Sequence, residues 1–217
     1  MIRLVAVNAG LGEPSSTRML VDRLVSAVTG VLGENRVQTT TIDLRDLAVD
    51  LGRSMAAGFA TGAARAAIDT VQGADALIVA TPVFNASYSG LFKTFFDLVD
   101  VDEMAATPVL IAATGGSPRH SMVLDHALRP LFGYLRMIVV PTGVYAAAED
   151  WAGGSGDTTT LGDRIDRAAR ELAALLESGK QQSRAFADAL SDNDSQNDTA
   201  AESAGIANFA RLLGGSG

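Results

Sequence analysis

Short apolar runs along the chain alternate with stretches in which apolar residues recur every three or four positions. The apolar runs cover residues 2–7, 76–80, 107–113 and 137–140, and a threonine-rich run covers residues 37–42. Predominantly apolar runs of this length are typical of strands covered on both faces, and the recurrence every three or four positions is typical of amphipathic helices. The pattern therefore predicts five strands alternating with helices.

The predicted helices are defined by their apolar faces. A short helix is predicted over residues 63–71. Four further helices have apolar faces that consist, in chain order, of Leu20, Leu24, Ala27 and Val31; Leu91, Phe92, Phe95, Phe96 and Val99; Leu124, Leu128, Leu131 and Leu135; and Ile165, Ala168, Leu172 and Leu176. We expect Pro130 to kink the third of these, because proline removes a helical donor. Residues 43–62 contain three glycines and are predicted to be an irregular connection.

Alternation of strands and helices favours right-handed crossovers and a three-layer α/β sandwich. The loops after the first, third and fourth strands are rich in glycine and polar residues, as ligand-binding loops are. Five strands with such loops at these places fit the flavodoxin-like order 2-1-3-4-5 of a parallel sheet. In that order the three strands are neighbours, so their loops converge at the carboxyl edge. Open α/β sheets bind ligands at that edge.

The first of these loops, residues 8–18, combines Gly10 and Gly12 with three hydroxyl side chains. Ser15 or Ser16 is placed to cap the following helix, and the free amides of a helix start attract phosphate. The loop has no Walker lysine, and Ser15 stands where a dinucleotide fingerprint has its third glycine. These features favour the single phosphate of FMN. The alternative is a capped helix after a glycine turn.

The second loop, residues 81–90, follows the most apolar strand. Pro82 is expected to end that strand, because proline offers no donor to the ladder. Phe84 provides an aromatic ring, Asn85 an amide, and Ser87 and Ser89 hydroxyls. This set suits a flat, hydrogen-bonding heterocycle, and the alternative is an ordinary polar turn.

The third loop, residues 114–120, carries adjacent glycines, Gly115 and Gly116. Adjacent glycines allow a ligand to lie directly against backbone amides, because neither residue has a Cβ and both tolerate positive φ. Arg119 or His120 can stabilise charge that develops near flavin N1 and O2 on reduction. The alternative for His120 and His126 is a surface position, and their spacing of six residues argues against a shared metal.

Composition narrows the classes of protein. The chain has 217 residues, 47% hydrophobic residues, a mean hydropathy of +0.20 and no cysteine, which excludes disulfides and thiolate chemistry. A net charge of −8 argues against binding to nucleic acid. No apolar run approaches the roughly 18 residues of a membrane span, and no signal peptide is evident, so we expect a cytoplasmic protein that does not bind membranes.

The C-terminal part differs in composition from the rest. Residues 188–202 contain five acidic residues and no Lys or Arg. Such a segment buries too little apolar surface to order itself. We therefore predict a domain over residues 1–178 and an acidic, disordered tail over residues 179–217, with a short apolar segment at 206–213.

Three segments, residues 10–18, 81–93 and 113–120, resemble in order and spacing the NAD(P)H-dependent FMN reductases, especially their actinobacterial branch and the sulfonate-assimilation flavin reductases. The resemblance covers about residues 1–178. It implies that the first loop holds the FMN phosphate, the second contacts the isoalloxazine and the glycine pair binds the polar edge of the ring. The implied site residues are Gly10, Leu11, Gly12, Pro14, Ser15, Ser16, Thr17 and Arg18; Pro82, Val83, Phe84, Asn85 and Ser87; and Thr114, Gly115, Gly116 and Ser117. Phe84 replaces the tyrosine of many relatives.

The resemblance also implies hydride transfer from NADPH or NADH to flavin N5, without a catalytic side chain or a metal. Reduced FMN would pass to a partner such as a flavin-dependent monooxygenase. The family implies a homodimer or homotetramer, and the predicted helix 91–99, apolar on more than one face, points to a second subunit as well. Two alternatives are a quinone, azo or metal-ion reductase that retains FMN and a flavodoxin-type electron carrier.

Overall fold

A mostly parallel sheet of seven strands organises the computed structural model, which describes residues 1–151 and 160–178. The strands are β1 (Ile2–Asn8), β2 (Val37–Asp43), β3 (Ala76–Phe84), β4 (Ser87–Tyr88), β5 (Pro108–Gly115), β6 (Ile138–Val139) and β7 (Val144–Ala147). Their order is β2-β1-β3-β5-β6, with β7 also paired to β5 and β4 antiparallel to β3. The predicted tail, residues 179–217, lies outside the described residues.

Helices cover both faces of this sheet. They are α1 (Ser16–Leu32), α2 (Ala48–Ala57), α3 (Gly62–Gln72), α4 (Gly90–Phe96), α5 (Arg129–Tyr134), α6 (Ala148–Trp151) and α7 (161–178). One apolar cluster joins the sheet to α2, α3, α4 and α5, and a second joins it to α1 and α7. The predicted flavodoxin-like sandwich of order 2-1-3-4-5 is confirmed, with β6 and β7 sharing the fifth position.

The single fifth strand predicted over residues 137–140 is wrong in detail. β6 pairs with the start of β5, and β7 pairs with its end. Pro141 interrupts the ladder between them because it has no amide donor. The next amide, that of Thr142, donates to Glu171 of α7 at 2.7 Å. A side chain on a helix therefore replaces the strand partner at this point.

The irregular connection predicted over residues 43–62 is also wrong, because it contains a 3-10 helix, Leu44–Leu47, followed by α2. Leu51 and Ser54 form the buried face of α2, and Gly52 lies on its exposed side. Gly58 ends the helix with a φ of 79°, the left-handed conformation that favours glycine after a helix. The glycines thus indicated a helix end rather than a lack of structure.

Two predicted apolar faces need correction. In α1 the buried face continues through Val28 and Leu32, whereas Val31 is 49% exposed. In α4 the three phenylalanines, Phe92, Phe95 and Phe96, are already buried within the protomer, and Phe132 packs edge-on against two of them. These rings therefore give no support to the predicted second subunit.

Pro130 lies within a continuous helical segment rather than breaking it. The turn before it, Leu124–Leu128, is a π-helix, and the amide of Arg129 donates to the carbonyl of Leu124. A π turn lengthens the backbone spacing where proline leaves a carbonyl without its usual partner. The predicted local distortion is thus a π turn.

Candidate functional site

The first, second and third loops meet at the carboxyl edge of the sheet, where β1, β3 and β5 end. The side-chain hydroxyls of Thr17 and Thr114 lie 2.7 Å apart and share a hydrogen bond, which joins the start of α1 to the end of β5. Both threonines are buried. The amide of Ala9 donates to the carbonyl of Ala80, which joins the first loop to β3. The predicted convergence of the loops is therefore built from hydrogen bonds.

Ser15 is the cap of α1. Its hydroxyl accepts a hydrogen bond from the amide of Arg18 at 3.1 Å. The first amides of a helix have no partner within it, so those of Ser16 and Thr17 are available to an anion at the helix start. Ser15 therefore supports the loop, and Ser16, which is exposed, lies at its open side.

Gly10 is required by the packing of the first loop. A Cβ on this residue would lie 2.1 Å from the Ser15 hydroxyl oxygen and 3.0 Å from the Thr17 Cβ. The amide of Gly10 donates to the side chain of Asn8 at 3.0 Å. Gly10 thus shapes the loop from inside. Leu11, Gly12 and Pro14 lie on its exposed outer rim.

Arg18 is held by carboxylates in this structure. Its guanidinium contacts Asp22 at 2.9 Å and Asp43, at the end of β2, at 2.6 Å. The hydrogen bond to Asp22 is the main cause that raises the pKa of Arg18, and Asp43 adds to it. Asp43 also accepts from the amide of the Asn8 side chain at 2.7 Å. The predicted role of Arg18 at the phosphate remains a prediction, and its charge is already balanced here.

The second loop is a β-hairpin rather than an open turn. β3 continues through Pro82 to Phe84, so the prediction that Pro82 ends the strand is wrong. The pairing of β1 with β3 ends at Ala80. Pro82 therefore pairs with Thr114 of β5 on one side and, within the described part of the chain, has no strand partner on the other. A proline is tolerated on such an open edge.

The hairpin turn consists of Asn85 and Ala86, with φ values of 48° and 65°. Positive φ at both turn residues is characteristic of the type I′ turn, which favours glycine at the position of Ala86. Val83 pairs with Tyr88, and Phe84, 46% exposed, pairs with Ser87. The hairpin thus presents an aromatic ring to solvent at the ligand edge.

Ser89 fastens the base of the hairpin. Its hydroxyl caps α4 by accepting from the amide of Phe92, and its own amide donates to the Thr81 hydroxyl at 3.0 Å. Ser89 is buried. Its predicted presentation to a ligand is therefore wrong, because the side chain is used within the fold.

The two glycines of the third loop differ. A Cβ on Gly115 would lie 2.2 Å from the hydroxyl oxygen of Tyr145 on β7, whereas a Cβ on Gly116 would meet nothing within 4 Å. Neither glycine has a positive φ. The tolerance of positive φ that glycine offers is therefore not used at either position. Gly116 faces the open space that a ligand requires, and Gly115 accommodates a protein side chain.

Arg119 and His120 lie on the 3-10 helix Pro118–Met122 and are exposed. The Nδ1 atom of His120 lies 3.6 Å from the position of a Gly115 Cβ, so the imidazole is next to the glycine loop. His126 is exposed on the π turn. Ser117 caps the 3-10 helix through its hydroxyl, which accepts from the Arg119 amide at 3.4 Å.

Sequence reasoning missed three residues of this site. Asn8 and Asp43 end β1 and β2 and hold the first loop, and Tyr145 holds the third. The signal for Tyr145 was a five-residue apolar run, 144–148, directly after Gly143. The signal for Asn8 and Asp43 was a polar residue at the carboxyl end of each strand.

Two kinds of feature are absent from residues 1–151 and 160–178. No group of three histidine, aspartate or glutamate side chains there is arranged to hold a metal ion. No described helix is both long and apolar enough to cross a membrane.

Comparison with known proteins identifies relatives over most of the chain. A family model described as NADPH-dependent FMN reductase matches residues 2–152. An FMN reductase (NADPH) of Pseudomonas aeruginosa is 41% identical over 181 residues, which are 83% of this chain and 95% of the relative. The NADH-dependent FMN reductase SfnF of Pseudomonas fluorescens is 40% identical over 81% of this chain and 92% of its own length. The crystal structure of an oxidoreductase from Corynebacterium diphtheriae has 46% identity and a TM-score of 0.76, covering 82% of this chain and 98% of that one.

Proposed function

The chain belongs to the NADPH-dependent FMN reductase family, and we propose that it binds FMN in the first, second and third loops and passes the reduced flavin to another enzyme. The protein is an oxidoreductase that reduces FMN with NAD(P)H, as its relatives at about 40% identity are named. The observation that carries the proposed site is the junction of the first and third loops through Thr17 and Thr114. That junction places a helix start and a glycine loop side by side.

The first loop fits the phosphate of FMN. The amides of Ser16 and Thr17 and the hydroxyl of Ser16 are the donors that we assign to it. Ser15 keeps the loop in shape through its bond to Arg18, and Gly10 leaves the room for that bond. A helix start with neutral donors binds a phosphate group without a lysine.

The second and third loops fit the ring. Gly116 has open space where a side chain would otherwise stand, so backbone amides of residues 115–117 can reach the polar edge of the isoalloxazine. Pro82, Val83, Phe84, Asn85 and Ser87 form the hairpin that we assign to the ring face. When bound, FMN accepts a hydride from the nicotinamide, so the chain needs no acid or nucleophile of its own. Its residues bind and orient both ligands, and Arg119 and His120 border the glycine loop.

The charges around the first loop favour release of the flavin. Arg18 is paired with Asp22 and Asp43, and Arg45 contacts Glu13 at 3.1 Å. Because these arginines already have carboxylate partners, we assign the phosphate mainly to helix amides and hydroxyls. A moderate affinity suits an enzyme that gives its product to a flavin-dependent monooxygenase. Assembly as a homodimer or homotetramer and a cytoplasmic location are further parts of this proposal.

The test follows nicotinamide absorbance with NADPH and with NADH, in the presence and absence of added FMN. We expect oxidation of at least one nucleotide that depends on free FMN. If neither nucleotide is oxidised in the presence of FMN, the proposal is wrong and the electron-carrier alternative takes its place. If FMN stays bound through purification and a quinone is reduced without added FMN, the retained-flavin alternative is correct.

The phosphate assignment has its own test. Ser16→Asp places a negative charge at the helix start and is expected to weaken FMN binding by about tenfold or more, or about 1.4 kcal/mol. Ser26→Asp is the matched control, because it adds the same charge to an exposed position of the same helix, almost three turns away. Fluorescence quenching gives both dissociation constants. Equal values would remove the first loop from the site.

A further inference from the structure

Tyr145 lies beside the third loop without being part of it. It is in register with Ala113 of β5 and is 7% exposed. Its hydroxyl donates to the carbonyl oxygen of Ser117 at 2.7 Å. The amide of His120 donates to the same carbonyl at 3.2 Å. A single carbonyl therefore ties the loop both to β7 and to the 3-10 helix that follows.

The phenol also determines which residue can occupy position 115. A Cβ on Gly115 would lie 2.2 Å from the Tyr145 hydroxyl oxygen and 3.3 Å from the ring carbon that bears it. No side chain fits there while the hydroxyl remains in place. Gly115 and Tyr145 therefore form a matched pair, and the neighbouring Gly116 is independent of it.

The phenol remains a donor at neutral pH. Burial raises the pKa of Tyr145, and the negative charge of Asp150 raises it further. Asp150 is itself fixed, because it accepts from the Ala147 amide at 2.8 Å and contacts Arg164 at 2.7 Å. The phenol is therefore protonated at neutral pH and can donate to the Ser117 carbonyl.

We propose that Tyr145 is a positioning residue that fixes the backbone amides of the third loop toward the polar edge of FMN. It does so through its hydrogen bond to the Ser117 carbonyl and by filling the space that a side chain at position 115 would occupy. This inference rests on the proposed function. Reduction increases the negative charge at flavin N1 and O2, so fixed donors at that edge stabilise reduced FMN more than oxidised FMN. Tyr145 should therefore change the ratio of the two affinities and not only their level.

The test is the dissociation constant of oxidised FMN and, under anaerobic conditions, of reduced FMN. Tyr145→Phe removes one hydroxyl and keeps the ring, and we expect binding of reduced FMN to weaken by about fivefold or more, with a smaller change for oxidised FMN. Leu172→Ala is the control for stability, because Leu172 is buried in α7 on the other face of the sheet. It should lower stability and leave the ratio of affinities unchanged.

A second variant pair tests the link through Gly115. Gly115→Ala should weaken FMN binding in the wild-type background, because the new Cβ displaces the hydroxyl. In the Tyr145→Phe background the same change should have a smaller effect, because the hydroxyl is absent. An unchanged ratio in Tyr145→Phe, or an equal effect of Gly115→Ala in both backgrounds, would overturn the inference. The proposed function would survive either result provided that the wild type binds FMN, whereas a wild type that does not bind FMN refutes both.

Discussion

Replacing Gly10 by alanine tests how the first loop is built. The new Cβ would lie 2.1 Å from the Ser15 hydroxyl oxygen, 3.0 Å from the Thr17 Cβ and 3.1 Å from the Asn8 side-chain oxygen. The Ser15 hydroxyl can rotate away, but it then loses its bond to the Arg18 amide. Thr17 and Asn8 cannot move as easily, because both are buried and hydrogen-bonded.

The magnitude follows from these two effects. Loss of a helix cap costs about 1 kcal/mol, and crowding in a well-packed site costs about 1–3 kcal/mol. We therefore expect Gly10→Ala to lower the free energy of unfolding of the FMN-free protein by about 2–4 kcal/mol. Urea denaturation measures this change directly. The affinity for FMN should fall as well, because the shape of the loop changes.

Two comparisons make the result specific. Gly12→Ala adds the same methyl group on the exposed rim, where it approaches the Pro14 carbonyl at 3.3 Å, and should cost less than about 1 kcal/mol. In a Ser15→Ala background the cost of Gly10→Ala should shrink, because the closest contact is gone. If Gly10→Ala is as stable as wild type, or costs the same in both backgrounds, the packing argument for this loop is refuted.

Two further predictions concern the backbone turn and the charges beside the site. Ala86→Gly should raise the free energy of unfolding by up to about 1 kcal/mol, because alanine is strained at a φ of 65°. The control Ala56→Gly, in α2, should lower it by about the same amount. Thermal unfolding measures both changes, and a lower stability of Ala86→Gly would contradict the turn geometry. Asp43→Asn should lower the free energy of unfolding, measured by urea denaturation, by about 1 kcal/mol, because Asp43 accepts hydrogen bonds from both Arg18 and Asn8. Asp22→Asn should lower it by less than about 0.5 kcal/mol. An equal cost for the two aspartate variants would show that the link from β2 to the first loop carries no stability.

The sheet order and the meeting of the three candidate loops at one edge could be predicted because they depend on local patterns. Apolar runs identified the strands, and polar loops after the first, third and fourth of these runs indicated one edge. The glycines of residues 43–62 concealed α2. Gly52 lies on the exposed face of this helix and Gly58 ends it, but in the sequence alone such glycines look the same as those of a loop. Pro141 concealed β7 in the same way, because a strand of four residues begins just beyond it.

The internal construction of the site depends on contacts between distant parts of the chain. Nothing near Gly115 in the sequence indicates that a tyrosine thirty residues later takes the place of its side chain. Arg18 directly follows three hydroxyl residues of the kind that bind phosphate, yet its partners include Asp43 at the end of β2. Such pairings become visible only when the register of the strands is known.

The division of the fifth strand into β6 and β7 protects this edge of the sheet from pairing with another chain. A continuous edge strand presents a row of free amides and carbonyls that a second chain can extend into an aggregate. β6 has two residues and β7 has four, and the amide of Thr142 between them is occupied by Glu171. Within residues 1–151 and 160–178, this edge therefore offers an incoming strand no long, regular row to pair with. The break that conceals β7 in the sequence thus also acts against intermolecular β-sheet formation.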